Sequence, residues 1–114
     1  MSTPIIWHNP RCSKSRQTLQ LVEERGAVTI RRYLDDAPSA DEIRDALQAL
    51  DLTPIQMMRR GEKIFKELGL STDTADEDLI TAMAENPILI ERPIVFANGT
   101  ARIGRPPETV LEIV

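Results

Sequence analysis

The stretch PIIWHNPRCSKSRQTLQLVEERGAVTIRRYL, residues 4–34, decides the fold of this 114-residue chain. Residues 4–8 form a short apolar run that is typical of a buried strand. A helical pattern begins at Ser13, and Gly26 follows its charged last turn, where a glycine commonly ends a helix. Residues 27–34 contain an alternating, β-branched segment that predicts a second strand. A strand–helix–strand unit of this length implies a parallel pair of strands joined by a right-handed crossover.

The middle of the chain is predicted to be helical. The tetrapeptides SADE at 39–42 and TADE at 74–77 match the capping box, in which two side chains satisfy free amides at a helix start. The pair TP at 53–54 is typical of the N-cap and first residue of a short helix. Residues 61–68 predict another short helix, which is expected to end at Gly69.

The apolar pattern changes from helical to strand-like in the last part of the chain. Residues 93–96 predict a strand, and the Asn-Gly pair at 98–99 is the strongest short signal for a hairpin. Residues 100–103 predict the returning strand, and the Pro-Pro pair at 106–107 opens a last helix. The predicted order is therefore β-α-β, a helical block, and β-β-α.

Without the helical block, this is the order of elements in a thioredoxin-like fold. We therefore predict an α/β protein with a mixed sheet, folded as a single domain. The thioredoxin-like core is assigned to residues 1–38 and 87–114. The helical insertion is assigned to residues 39–86.

The composition is ordinary for a globular protein, with one cysteine and one histidine. The net charge is −4 and aromatic residues make up 4% of the chain, which disfavours nucleic-acid binding. The N-terminus lacks a signal-peptide pattern, and no apolar run approaches the ~20 residues of a membrane span. We therefore expect no membrane association and a cytoplasmic location. One cysteine and one histidine do not complete a structural zinc site, so no metal is expected.

Cys12 is the candidate reactive group. It falls between a predicted strand and a predicted helix, where unpaired amides and the helix dipole favour a thiolate. Arg11, Lys14 and Arg16 surround it in the sequence, although a first helical turn ordinarily prefers acidic side chains. The Cys12 thiolate, a bound oxyanion or both are expected to compensate these cations. A lone cysteine is more often a small buried hydrophobic residue, but the cationic flanks favour a reactive thiol.

Two more polar residues lie near Cys12 in the sequence. Ser15 follows it by three residues, a spacing that lets the hydroxyl face the sulfur. His8 has two interpretations that the sequence does not separate. It is either a hydrogen-bonded core histidine at the end of the first strand or an electrostatic partner of the thiolate.

The segment His8-Asn9-Pro10-x-Cys12-x-x-Ser15-Arg16 resembles the opening motif of the glutaredoxin-linked arsenate reductase family. The resemblance extends over nearly the whole chain. It includes the segments YL at 33–34, PS at 38–39, MMRR at 57–60, LGL at 68–70, NPILIERPIV at 86–95 and GRPPE at 104–108.

The resemblance implies a thioredoxin-like fold with a helical insertion and a catalytic cysteine at Cys12. It also implies three arginines that bind an oxyanion, which by motif fall on Arg59, Arg92 and Arg105. Arg60 is adjacent to Arg59 and could exchange roles with it. His8, Ser15 and Arg16 are expected to bind substrate or to tune the pKa of Cys12. The bond before Pro93 matches the position of a cis-proline in thioredoxin-like folds.

The mechanism that the resemblance implies is reduction of arsenate to arsenite through a thiol–arsenate adduct on Cys12. Because the chain has no second cysteine, an outside thiol must resolve the adduct. The family implies glutathione as co-substrate and glutaredoxin as partner. No bound cofactor is implied, and we expect a monomer.

Ser13-Lys14 departs from the arsenate reductase pattern, because the family's resistance enzymes carry small uncharged residues after the cysteine. Two other functions therefore stay open. One is a glutathione-dependent thiol reductase with only weak arsenate activity. The other is a regulator resembling Spx proteins, which bind RNA polymerase and often sense redox state through a C-x-x-C pair. Here the second position of that pair is Ser15, so an intramolecular switch cannot form.

Overall fold

The computed structural model describes residues 3–114 of the chain. The chain forms two compact units. The first contains the chain up to Asp36 together with Arg92–Val114, and the second contains Ala37–Glu91.

The first unit is built on a four-stranded mixed sheet. Its strands are β1 (Ile5–Trp7), β2 (Thr29–Arg31), β3 (Ile94–Ala97) and β4 (Thr100–Ile103), and the order across the sheet is β2-β1-β3-β4. Strand β1 pairs in parallel with β2 and antiparallel with β3, and β3 pairs antiparallel with β4. The predicted parallel β-α-β unit and C-terminal hairpin are both confirmed.

Helix α1 (Ser13–Arg25) connects β1 to β2 and begins at the predicted residue. Its Val22 is buried against Ile6 of β1, Val95 of β3 and Val110, so one face of the sheet contributes to the core of this unit. Gly26 ends the helix in a backbone conformation with φ +145°, which non-glycine residues rarely adopt. The helix therefore begins just after the carboxyl end of β1 and ends at Gly26.

Two elements of the first unit differ from their predictions. Strand β2 is shorter than the predicted segment 27–34, because only Thr29–Arg31 pairs with β1. The predicted last helix is a 3₁₀ helix, Pro107–Glu112, which packs against α1. The peptide bonds Arg92–Pro93 and Arg105–Pro106 are both cis, the first of them as expected.

The second unit is helical. It contains α2 (Ala40–Leu50), α3 (Lys63–Glu67) and α4 (Asp76–Glu85), with 3₁₀ helices at Pro54–Met57 and Pro87–Leu89. Helix α4 packs against α2 and against both 3₁₀ helices. The capping box at the start of α2 is confirmed, because the Glu42 amide donates to Ser39 Oγ and the Ser39 amide donates to Glu42.

The second predicted capping box is wrong. The N-cap of α4 is Ala75, one residue later than predicted, and its side chain makes no capping hydrogen bond. Thr74 Oγ1 instead accepts from the Ser71 amide at 2.9 Å and closes the preceding turn. Asp76, Glu77 and Asp78 lie in the first turn of α4, where their charges favour the positive end of the helix dipole.

No helix within residues 3–114 is both long enough and apolar enough to cross a membrane.

Candidate active site

Cys12 is the N-cap residue of α1, with extended backbone angles of φ −96° and ψ 123°. Its amide donates to the Asn9 carbonyl at 3.0 Å, and its own carbonyl accepts from the Arg16 amide at 3.0 Å. The first turn of α1 contains no acidic residue. The partly exposed sulfur therefore lies at a positive helix end that no nearby carboxylate on the helix compensates.

The environment of Cys12 favours its ionised form. Burial raises the pKa of the thiol, but four other contributions together lower it below its ordinary value. Hydrogen bonding from the Ser15 amide, the Arg92 guanidinium and the Lys14 amide lowers the pKa of the thiol, and the positive charge of Arg92 acts in the same direction. The predicted thiolate-favouring site is thus built from helix amides and an arginine, and a thiolate is the nucleophilic form of cysteine.

Two arginines from the C-terminal part of the first unit lie beside the sulfur. Arg105 Nη2 is 3.9 Å from Cys12 Sγ, and Arg105 Nε donates to the Arg92 carbonyl at 2.9 Å. Arg92 Nε is buried and has no hydrogen-bond partner among the residues that the structure describes. Because buried polar groups are nearly always hydrogen-bonded, this N–H indicates an acceptor that the protein itself does not supply.

His8 is a buried, neutral histidine. Its Nδ1 lies 2.7 Å from Ser15 Oγ, and burial lowers its pKa further than the charges of Arg32 and Arg16 do, against a smaller opposing effect of Glu23. The ring therefore carries no positive charge at neutral pH. This favours the core-histidine interpretation over an electrostatic partnership with the thiolate.

The hydroxyl of Ser15 was expected to face the Cys12 sulfur, but it is the backbone amide of Ser15 that influences the thiol. The hydroxyl is fully buried, lies against His8 and accepts from the Asn9 amide at 3.0 Å. The amide of Ser15, and not its hydroxyl, is among the groups that lower the pKa of Cys12. Ser15 thus joins the loop before Cys12 to the first turn of α1, and its tuning effect comes from the helix start.

The other cations predicted near the sulfur have different contacts. Arg16 Nη1 donates to the Pro10 carbonyl at 3.0 Å, which ties α1 to the loop that precedes Cys12. The side chains of Arg11 and Lys14 are exposed. These residues contribute positive potential at the Cys12 end of the first unit, and Lys14 also contributes its amide.

Asn9 is a positioning residue to which the sequence alone assigned no role. Its side-chain Oδ1 accepts from the Arg11 amide at 3.0 Å, and its carbonyl accepts from the Cys12 amide. This is a local turn of the kind that asparagine commonly stabilises. An Asn-Pro pair just before a candidate nucleophile was the available signal.

Arg59 lies in the second unit and has anionic partners of its own. Its Nε donates to Glu62 Oε1 at 3.2 Å, and its Nη1 is 3.7 Å from Glu91 Oε1. The neighbouring Arg60 is exposed. Which of the two takes the third arginine role stays a prediction.

Within the described residues there is no cluster of three or more histidine, cysteine, aspartate or glutamate side chains that could hold a metal ion.

The family model of the ArsC family matches residues 7–113 of the chain. The uncharacterised protein YfgD of Escherichia coli (strain K12) is 52% identical over 112 residues, covering 96% of this chain and 94% of that protein. The arsenate reductase of Neisseria meningitidis (strain Z2491) is 49% identical over 108 residues, covering 92% of both chains.

A solved structure of an arsenate reductase from Vibrio cholerae superposes with a TM-score of 0.94 at 50% identity, covering 98% of both chains. This similarity and the order of the sheet confirm the predicted thioredoxin-like fold.

Proposed function

The chain belongs to the ArsC family, and from that premise we propose that it reduces arsenate to arsenite with Cys12 as the nucleophile. Relatives that share about half of its sequence over almost their whole length are arsenate reductases. We further propose that glutathione and glutaredoxin supply the electrons and that the protein acts in the cytoplasm as a monomer.

The observation that carries this proposal is the combination of an ionisable sulfur with two arginines. Arg105 Nη2 lies 3.9 Å from the sulfur, and the Arg92 guanidinium lowers the pKa of Cys12. Guanidinium groups bind tetrahedral oxyanions well, because they offer paired donors and a permanent charge. The buried and unpartnered Arg92 Nε provides a further donor for an oxyanion oxygen.

In the proposed reaction, the Cys12 thiolate attacks arsenic, and a hydroxyl group of arsenate takes a proton from solvent and leaves as water. A glutathione thiolate then attacks the Cys12 sulfur. The sulfur–arsenic bond breaks, its electron pair stays on arsenic, and arsenite leaves. Cys12 remains in a mixed disulfide with glutathione. A glutaredoxin thiolate then attacks the glutathione sulfur, so that Cys12 leaves as the thiolate and the glutathionyl group passes to glutaredoxin in a new mixed disulfide. Two thiols are oxidised to one disulfide while arsenic gains two electrons, so the electrons balance.

The arginines would stabilise charge that develops on the arsenate oxygens. Arg92 and Arg105 are proposed for this role on their geometry at Cys12. Arg59 is proposed as the third arginine on the family resemblance alone, since its guanidinium contacts Glu62 and Glu91. The neutral His8 and the Ser15 hydroxyl would hold the loop of Cys12 in place.

The test is a coupled assay in which arsenate-dependent consumption of reducing equivalents is followed with purified protein, glutathione, glutaredoxin and glutathione reductase. We expect turnover only when arsenate, glutathione and glutaredoxin are all present. Arsenate turnover with glutathione but without glutaredoxin would show that the reaction does not require glutaredoxin. The absence of turnover with every component present would contradict the arsenate reductase function.

A glutathione-dependent thiol reductase is the second candidate, and the partly exposed Cys12 sulfur beside the exposed Lys14 favours it. A positively charged surface at the sulfur would attract an anionic thiol or disulfide substrate. Reduction of a protein mixed disulfide with glutathione, measured without arsenate, separates this activity from the first. A rate that exceeds arsenate turnover would make it the main function.

A further inference from the structure

Gly104 lies at a close contact between three segments of the first unit. A Cβ atom at this position would lie 2.5 Å from Thr18 Oγ1, 2.9 Å from Pro93 Cγ and 3.1 Å from Thr18 Cγ2. The backbone of Gly104 is not in the left-handed region, so other residues could adopt its conformation. Glycine is therefore required here by the lack of space.

Each of the three segments at this contact also carries a group that acts on the Cys12 sulfur. The Gly104 amide donates to the Pro93 carbonyl at 2.9 Å, so the contact includes the residue that follows Arg92. Arg105 is the next residue along the chain, and its Nε donates to the Arg92 carbonyl.

Thr18, which contributes the α1 side of the contact, is also connected to the Cys12 site. Thr18 is fully buried, and its Oγ1 donates to the Lys14 carbonyl at 2.8 Å. Lys14 in turn supplies one of the amides that lower the pKa of Cys12. The side chain of Thr18 therefore lies one helical turn below the amides that face the sulfur.

We propose that Gly104 is a positioning residue for the anion site, because its missing side chain lets Arg92 and Arg105 lie together against the start of α1. The role of the site as an oxyanion site rests on the proposed function. The positioning of the two arginines at the Cys12 sulfur does not, because it concerns contacts within the first unit alone.

Neither Thr18 nor Pro93 can readily move to make room for a methyl group at Gly104. Thr18 is held by its hydrogen bond within α1, and the ring of Pro93 has little freedom. The segment that carries Arg105 must therefore move away from α1 by about 0.5 Å or more to relieve the closest contact. The distance of 3.9 Å between Arg105 Nη2 and Cys12 Sγ is already long, so this displacement would break the contact.

The test is Gly104→Ala, with two measurements on Cys12. The first is the rate of alkylation by iodoacetamide as a function of pH, which reports the pKa of the thiol. The second is the concentration of inorganic phosphate, a tetrahedral oxyanion, that protects Cys12 from alkylation by half. We expect the alkylation midpoint to move to higher pH and the protecting concentration to rise about tenfold, as for the loss of one charge-assisted hydrogen bond.

Gly61→Ala is the matched control. Nothing lies within 4 Å of a Cβ at Gly61, and its backbone is not in the left-handed region. This variant is expected to behave as the unaltered protein in both measurements. A loss of the same size in Gly61→Ala would mean that the effect does not come from the Thr18 contact.

Thr18→Ala combined with Gly104→Ala separates positioning from a general loss of stability. Removing Thr18 Oγ1 and Cγ2 relieves two of the three close contacts, so we expect both measurements to return most of the way to those of Thr18→Ala alone. This double variant also keeps the test informative if Gly104→Ala alone does not fold. Gly104→Ala with unchanged alkylation and protection would overturn the proposal, and so would a folded double variant without recovery.

The two proposals can fail separately. If neither phosphate nor arsenate protects the unaltered protein, the oxyanion site is contradicted while the alkylation profile still tests Gly104. If Gly104→Ala shifts neither measurement but the unaltered protein reduces arsenate, only the positioning role is contradicted.

Discussion

Arg92 of the first unit and the ion-paired arginines of the second unit have contrasting partners, although Arg31 and Arg102 of the first unit are also ion-paired, with Asp36 and Glu112. In the second unit, Arg59 contacts Glu62 and Glu91, and Arg44 contacts Asp41 and Glu77. Arg92, in contrast, has neither an ion-paired carboxylate nor a hydrogen-bond partner for its buried Nε among residues 3–114, and it lowers the pKa of Cys12.

This difference concerns how far the charge of each guanidinium is compensated by the protein itself. An arginine between two carboxylates has its charge compensated and needs no further anion. A partly buried arginine with an N–H that the described residues do not pair keeps a donor for an anion. The protein carries a net charge of −4, so its positive Cys12 end is a local feature set against the overall charge.

The largest expected effect is that of Cys12→Ser. We expect arsenate turnover to fall to background, because a serine hydroxyl is not ionised at neutral pH and cannot replace the thiolate. The fold should persist, since serine is a favoured N-cap residue. The coupled assay measures turnover, and circular dichroism checks the fold. Turnover that survives in a folded variant would show that the nucleophile is not Cys12.

The second expected effect is that of Arg92→Ala. Loss of one charged hydrogen-bond donor is expected to lower kcat/KM for arsenate by about 10- to 100-fold. The same substitution should raise the pKa of Cys12, which a pH series of alkylation rates measures. Arg25→Ala is the matched control, because Arg25 is an exposed arginine at the other end of α1. Equal kinetics in the two variants would mean that Arg92 has no special role.

A smaller effect on turnover is expected for Arg59→Ala. Because Glu62 and Glu91 already compensate this guanidinium, we expect kcat/KM to fall less than in Arg92→Ala. Loss of a partly exposed ion pair should lower the free energy of unfolding by up to about 1 kcal/mol. Arg60→Ala is the control for the neighbouring position. If Arg59→Ala impairs turnover as strongly as Arg92→Ala, the contrast between the partners of Arg59 and Arg92 does not reflect function.

The sequence predicted the backbone of this site better than its side-chain contacts. The strand–helix–strand order and the start of α1 at Ser13 follow from local periodicity, and they place Cys12 at the helix N-cap. The Ser15 hydroxyl was expected at the sulfur from spacing alone. Its partners are His8 and the Asn9 amide, which precede the helix, and helical periodicity carries no information about them.

The incorrect capping box at residues 74–77 has a different physical cause. A threonine hydroxyl can accept a hydrogen bond from any of several nearby amides, and the sequence pattern does not predict which amide donates. Here the Ser71 amide is the one that bonds Thr74, so α4 starts without a side-chain cap. At Ser39 the side chain bonds the Glu42 amide, so that box forms as predicted.

The smallest expected effect concerns His8 and tests whether arginines and amides, rather than an imidazolium, stabilise the thiolate. The folded protein holds the pKa of His8 below its ordinary value of about 6.5, so the unfolded chain binds a proton first as the pH falls. Stability due to the neutral ring is therefore complete above about pH 6.5 and is lost as the pH falls through the lower folded pKa.

Denaturant unfolding between about pH 7.5 and 5.5 should show this decline in the free energy of unfolding, and His8→Gln should reduce the decline. The slopes are compared rather than the absolute stabilities, because glutamine also alters the contact with Ser15. If stability instead rises as the pH falls through this range, His8 is protonated in the fold and belongs among the cations that hold the Cys12 thiolate.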